Sequence, residues 1–181
     1  MAPNGTPYHF KIALSDVDRG VYESLDIRPA RHPSESFRYL LTRTLAYCLS
    51  FEPGIAFSKG GLSSAEEPPI SVRDETGVLK AWIDIGSPSA ERLHKATKAA
   101  ERVSLFTHAD LGLLRREALS RAVHKVESIE VFRFEPAFLD SLEGAIERST
   151  RLELVRSDGA LYVTIAGKLT EGLVTRATLV E

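Results

Sequence analysis

The chain holds a single cysteine, Cys48, among 181 residues. An internal disulfide framework is therefore excluded, and the composition fits a reducing compartment. Long apolar runs are also missing, and none approaches the roughly 20 residues of a helical membrane span. The opening residues, MAPNGTPYHFK, lack the basic start and apolar stretch of a secretion signal, which sets the cytoplasm as the expected location. Neither sign of charge dominates, with 23 Lys+Arg against 25 Asp+Glu and a formal net charge of −2. A generally basic coat for nucleic acid is not indicated, so contact with DNA or RNA would need a local patch. Repeats, low-complexity segments and long Gly/Ser/Pro linkers are absent as well, and one domain spanning 1–181 is expected.

What is present reads as alternating strands and helices. Phe10, Ile12 and Leu14 alternate with Lys11 and Ala13, the period of a strand, and Val21–Arg28 resumes strand chemistry after an Asp16–Gly20 turn. Pro33 suits a helix start, with His32 or Ser34 as cap. Phe37, Leu40, Leu41, Thr44, Leu45 and Cys48 then recur at three- and four-residue spacing up to Pro53-Gly54. Strands are predicted over Ile55–Ser58, Ile70–Arg73 and Leu79–Ile85. Ser87 and Pro88 open a helix running to about Arg102, Val103–Thr107 is a strand, and Asp110 caps another helix. Val126–Phe134 reads as a strand, Pro136 opens a last helix, and Thr150–Val163 forms a hairpin turned at Ser157-Asp158-Gly159. Gly172–Val180 reads as an edge strand. Strands interleaved with helices indicate a layered α/β fold.

One stretch carries chemistry. In WIDIGSP (82–88) a carboxylate, Asp84, stands between Ile83 and Ile85, just before a turn that opens a helix. An unpaired carboxylate inside a strand costs several kcal/mol, so it has a partner or a task. By strand alternation Asp84 shares a face with Trp82 and Lys80, opposite Ile83 and Ile85.

The run ARHPSE (30–35), the phrase EEP (66–68), the segment WIDIGSPSAERLHKA (82–96) and AAERVSLFT (99–107) together resemble the YaeQ family of bacterial proteins, over essentially the full length. The resemblance implies a variant of the restriction-endonuclease-like PD-(D/E)XK core. That is a mixed β-sheet flanked by helices, here with additional N- and C-terminal hairpins. It also implies a metal-dependent phosphodiester hydrolase site on Mg²⁺ or Mn²⁺, with DNA or RNA as substrate. Carried over residue by residue, the acid of the last motif is Asp84. The lysine two residues later is replaced by Gly86, and Lys95 on the next helix takes its place. The earlier Pro-Asp element reads Glu67-Pro68-Pro69, so Glu67, or the more distant Asp74, stands in for the missing acid. Glu35 is the acid from the first helix. In this scheme Asp84, Glu67 and Glu35 hold the metal; Asp84, Glu67 and Lys95 are catalytic; and Arg92 binds the phosphate. Mg²⁺ prefers such hard oxygen ligands, and it both activates water and offsets phosphate charge.

Each candidate also has a purely structural reading. Asp84 fits a salt bridge to Arg92 or the nearby helix N-terminus. Lys95 fits a surface pair with Glu91, four residues earlier, and points away from the Leu93/Ala96/Ala100 stripe. Glu35 complements a helix dipole, Glu67 sits in a solvated loop, and Asp74 belongs to a DETG turn. Cys48 and Trp82 read as core. The five histidines show no metal-ligand spacing, Gly60-Gly61 is not a phosphate loop, and the Arg115/Arg116/Arg121/Lys125 run reads as a solvated helix face. Two functions therefore stand side by side: a metal-dependent nuclease, and a non-catalytic nucleic-acid- or protein-binding factor on a nuclease-like scaffold. The strand-embedded Asp84 inside the expected order of elements puts the first ahead, while the missing strand lysine and Pro69 motivate the second.

Overall fold

Alternating burial along His9–Asp16 (β2) places Phe10, Ile12 and Leu14 inward and Lys11 and Ala13 outward, as the period-two pattern requires. A computed structural model describes residues 5–59 and 66–180. After Thr6–Pro7 (β1) and β2 come Val21–Ile27 (β3), Ala30–Arg31 (β4), Phe37–Leu49 (α1), Ile55–Phe57 (β5), Ile70–Arg73 (β6) and Leu79–Ile85 (β7). Ala90–Ala99 (α2), Arg102–Thr107 (β8), Leu111–Ala118 (α3), Glu130–Phe134 (β9) and Pro136–Glu143 (α4) follow. Ser149–Ser157 (β10), Ala160–Ile165 (β11) and Lys168–Thr178 (β12) complete the described chain.

Among the described residues ten strands form one sheet, in the order β3-β2-β10-β11-β12-β9-β8-β7-β6-β5. β2 pairs parallel with β10, and β7, β8 and β9 run parallel to one another, while the remaining neighbours are antiparallel. The expected terminal hairpins are present, but they fuse through the β2–β10 pairing into the central sheet rather than standing apart from it. β1 and β4 make a separate two-stranded ribbon.

Helices cover both faces of the β7–β9 region. On one side α1 and α4 pack with Phe10, Ile83, Ile85, Phe106, Phe134 and Leu139. On the other, α2 and α3 pack with Trp82, Leu93, Leu105, Leu114 and Val131. Cys48 lies wholly buried in the first cluster, where burial pushes its thiol up to about 12.

Several element ends differ from the sequence reading. α1 begins at Phe37 and is capped by Ser36, whose side chain accepts from Tyr39 N. Pro33 and Ser34 instead belong to a turn closed by Glu35 N donating to His32 O at 2.8 Å, and His32 Nδ1 pairs with Ser34 Oγ. α2 is capped by Ser89 rather than Ser87, so Pro88 precedes the cap, and the helix ends at Ala99. Val126–Ser128 is a single 3₁₀ turn before β9. β12 is longer than predicted and interior, bonded to β11 on one side and β9 on the other. The Gly60-Gly61 pair lies outside the described residues.

Asp18 ties the β2–β3 turn to the β10–β11 turn. Its carboxylate accepts from Asp158 N at 2.7 Å and Gly159 N at 3.0 Å. The Gly159 and Asp158 amides hold this carboxyl below its ordinary 3.8. A depressed carboxyl stabilises the fold above its unfolded value and loses that contribution as pH falls through the folded one. In acid titrations of unfolding, the stability gap between the wild-type chain and Asp18→Asn should therefore shrink as pH drops below 3.8. A gap independent of pH would show that this charge does not act on the fold.

Candidate functional site

Asp84 is the last residue of β7 on its face of the sheet, and its side chain is 3% exposed. Because it alternates with Ile83 and Ile85, it faces the α2 side together with Trp82, as the strand period requires. Gly86 then turns the chain at φ +88°, a left-handed conformation that glycine adopts without strain, and α2 begins four residues later. The first turn of α2 consequently carries Arg92 back over the strand.

There Arg92 Nε donates to Asp84 Oδ2 at 2.8 Å, and Trp82 Nε1 donates to the same oxygen at 3.2 Å. Asp84 Oδ1 accepts from Ile85 N at 3.1 Å. The guanidinium lies 5.4 Å from the Trp82 ring centroid, and Arg92 Nη2 donates to Glu67 O at 3.0 Å. The embedded carboxylate thus has three donors and a compensating cation. Trp82 is core, as expected, and also supplies one of those donors.

Glu35 is treated the same way by a different partner. It is buried just before α1, although sequence placed it within that helix, complementing its dipole. Arg43 Nη2 lies 3.1 and 3.3 Å from its two carboxylate oxygens and also donates to Ala30 O at 2.8 Å. Burial raises the Glu35 carboxyl above its ordinary value. The Arg43 charge, the His32 N–H and Arg31 oppose this without cancelling it.

Between the two pairs stands Tyr39. Its ring packs beside Gly86, where an added Cβ would meet Tyr39 Cε2 at 3.4 Å. Burial first, then the Asp84 charge, holds its phenol protonated far above the usual tyrosine range, and Arg43, Glu35 and Arg92 also act on it. Tyr39 and Arg43 are the residues that sequence reasoning missed. Arg43 flanks the α1 stripe three residues after Leu40, and that position was the available hint that a charge on this face needs an acid; the structure leaves it 5% exposed.

The other candidates are spread along the rim. Glu67 is exposed, and its carboxylate accepts from Ser58 Oγ at 2.9 Å. Lys95 is 42% exposed and pairs with Glu66, not with Glu91, which lies 3.8 Å from Arg121 instead. Asp74 Oδ1 closes its own turn, accepting from Thr76 N, Thr76 Oγ1 and Val78 N. It sits in the β6–β7 turn, next to the start of β7, whereas Asp84 lies near the other end of that strand. Arg115, in the basic run, donates to Thr178 O. The structure therefore brings Asp84, Arg92 and the Glu67 backbone together, sets Lys95 nearby, and leaves Asp74 remote.

A Mg²⁺ or Mn²⁺ ion does not fit this arrangement. Glu35 and Asp84 are each already bonded to a guanidinium of their own, Arg43 and Arg92 respectively. Among the described residues no three His, Cys, Asp or Glu side chains converge as metal ligands. Nor is any described helix long and apolar enough to cross a membrane.

Fold and site together define a mixed α/β protein with one large sheet flanked by helices and an arginine-neutralised carboxylate at the end of its parallel strands. The family model for the YaeQ protein matches residues 1–172, and the chain belongs to that family. It is 25% identical over 166 residues to the "Uncharacterized protein YaeQ" of Escherichia coli (strain K12), covering 91% of each chain. To the protein of the same name from Salmonella typhi it is 26% identical over 168 residues, covering 92% of each. The crystal structure of YaeQ protein from Pseudomonas syringae superposes with a TM-score of 0.87 at 29% identity, over 96% of each chain. The YaeQ structure from Xanthomonas axonopodis pv. citri gives 0.86 at 24% identity, over 96% of this chain and 98% of that one, a likeness of fold.

Proposed function

We propose that the chain is a non-catalytic nucleic-acid-binding factor built on a restriction-endonuclease-like scaffold. The observation that carries this reading is the Asp84–Arg92 pair: the carboxylate needed to hold a catalytic ion is occupied by a guanidinium. Lys95 supports it from the rim. Its pair with the exposed Glu66 is of a kind worth about 0–1 kcal/mol, so the ammonium is readily given up to a phosphate.

Fluorescence anisotropy with single-stranded DNA, duplex DNA and RNA, in the presence of a chelator, tests the reading. Binding should persist without metal, weaken with salt, and lose about one unit of salt slope in Lys95→Ala. Calorimetric titration should show no Mg²⁺ or Mn²⁺ affinity. Absence of binding to every nucleic acid would sink the proposal and leave a protein as the partner of this scaffold.

A metal-dependent phosphodiesterase is the rival reading. It is supported by the convergence of Asp84, Arg92, the Glu67 backbone and Lys95 at one rim, and by the order of elements around them. For it to hold, Arg92 must leave Asp84 when substrate arrives. Metal-dependent cleavage that disappears in Asp84→Ala would establish it and overturn the non-catalytic assignment.

A further inference from the structure

At the opposite end of the parallel strands, away from Asp84, the sheet extends beyond the C-terminus of α1 and leaves a cleft of about 350 Å³. Four arginines from distant parts of the chain line it: Arg19 from the β2–β3 turn, Arg102 from β8, Arg156 from β10 and Arg176 from β12. Its floor is Phe106 and Phe132, stacked at 4.8 Å between centroids. We propose that this cleft is a binding site for a small phosphomonoester carrying a flat ring, a nucleoside monophosphate being the natural size and chemistry.

Two of the arginines are fixed in place. Arg19 donates to Leu49 O at 2.9 Å and Phe51 O at 2.8 Å, bridging the β2–β3 turn to the carbonyl end of α1. Arg156 is 14% exposed and lies over the Phe132 ring at 5.9 Å. Behind it stands Asp16, wholly buried, with Oδ2 at 3.8 Å from Arg156 Nη1 and 3.5 Å from Arg19 Nη1. Arg156 Nε is 3.3 Å from Asp18 Oδ2 without hydrogen-bond geometry, and it has no acceptor. A buried carboxylate behind two guanidiniums at a cleft wall keeps them in position, which preforms the cationic part of the cleft.

The other two arginines are exposed and available. Arg102 pairs with Glu52 at 3.0 Å and Arg176 with Glu130, both at the solvent edge. Such pairs exchange at little cost for a dianion that accepts several N–H groups at once. The volume is that of a small-molecule pocket, and an aromatic floor between walls on which four arginines outnumber Asp18, Glu52 and Glu130 favours a ligand with a flat apolar body next to its negative charge.

The test is an amide-resolved NMR titration of the full chain with phenyl phosphate, inorganic phosphate and benzoate. Saturable shifts are expected around Ser50, Ser104 and Phe132, tightest for phenyl phosphate. Arg102→Gln combined with Arg176→Gln, both at exposed positions, should weaken binding about tenfold with an unchanged melting temperature. No saturable shift up to ~10 mM phenyl phosphate would overturn the proposal, since even a weak site binds in that range. So would shifts spread over Arg115, Arg116 and Arg121, or an unchanged affinity in the double variant. Benzoate binding as tightly as phenyl phosphate would overturn the phosphate assignment. None of these outcomes depends on Asp84, Arg92 or Lys95.

Discussion

Replacing Arg43 with methionine lowers the free energy of unfolding at neutral pH by about 3–5 kcal/mol, the cost of leaving a buried charge without its partner. Glu35 is 1% and Arg43 7% exposed at the side chain, so water cannot take over from the lost guanidinium. The remaining donor to the carboxylate is His32 N at 3.4 Å, too long to compensate. The loss should also depend on pH in a defined direction. Glu35 already titrates above its ordinary 4.5 because of burial, so between that value and its folded one the native state holds a proton that the unfolded state has released. Stability then rises as pH falls across that window, and removal of Arg43 widens it. Urea denaturation between neutrality and the ordinary glutamate range measures both effects. Glu35→Gln/Arg43→Met should recover most of the loss, because replacing both members of a buried pair is frequently neutral. A single-variant loss below ~1 kcal/mol would mean that solvent reaches the carboxylate and that the pair acts like a surface one.

Gly54→Ala should be comparably damaging for a different reason. A Cβ there would stand 2.0 Å from Arg73 O, and that backbone is fixed by Arg73 N donating to Gly54 O at 3.1 Å. Backbone, unlike the tip of a long side chain, cannot move aside without parting β5 from β6, so a loss of about 3 kcal/mol or more is expected. The residue also sits at φ +91°, which disfavours any side chain. Gly77→Ala separates the two contributions, since Gly77 has φ +87° with nothing within 4 Å of an added Cβ. That variant should lose only the strain of a left-handed alanine, about 1–2 kcal/mol. Equal losses in urea denaturation would show that the overlap at Gly54 is relieved by local movement.

Period-two burial made β2 legible from Phe10, Ile12 and Leu14, and the Ser157-Asp158-Gly159 turn and the Asp110 cap were equally plain because each signal is local. Helix starts were harder. Near Pro33 and near Ser87-Pro88 two serines compete for one cap, and the later one wins in both places because its side chain reaches the third helical amide. The tail Gly172–Val180 read as an edge strand because nothing local in it names a second neighbour. Its interior position depends on β9, some forty residues earlier in the chain, with Gly172 small enough to admit Phe138. At the site, the face of Asp84 and its pairing with Arg92 were readable over eight residues of strand, turn and helix. Glu35 with Arg43, and Tyr39 between the pairs, were not. Their environment is created by a sheet face that no single segment encodes.

The parallel seam between β2 and β10 sets the order in which the molecule can be finished. As the polypeptide leaves the ribosome, the first hairpin can zip early, but the open side of β2 offers unpaired amides until residue 157 has emerged. For most of translation the nascent chain therefore exposes a bare aliphatic ribbon, a template for chaperone capture or for strand exchange with a neighbouring copy.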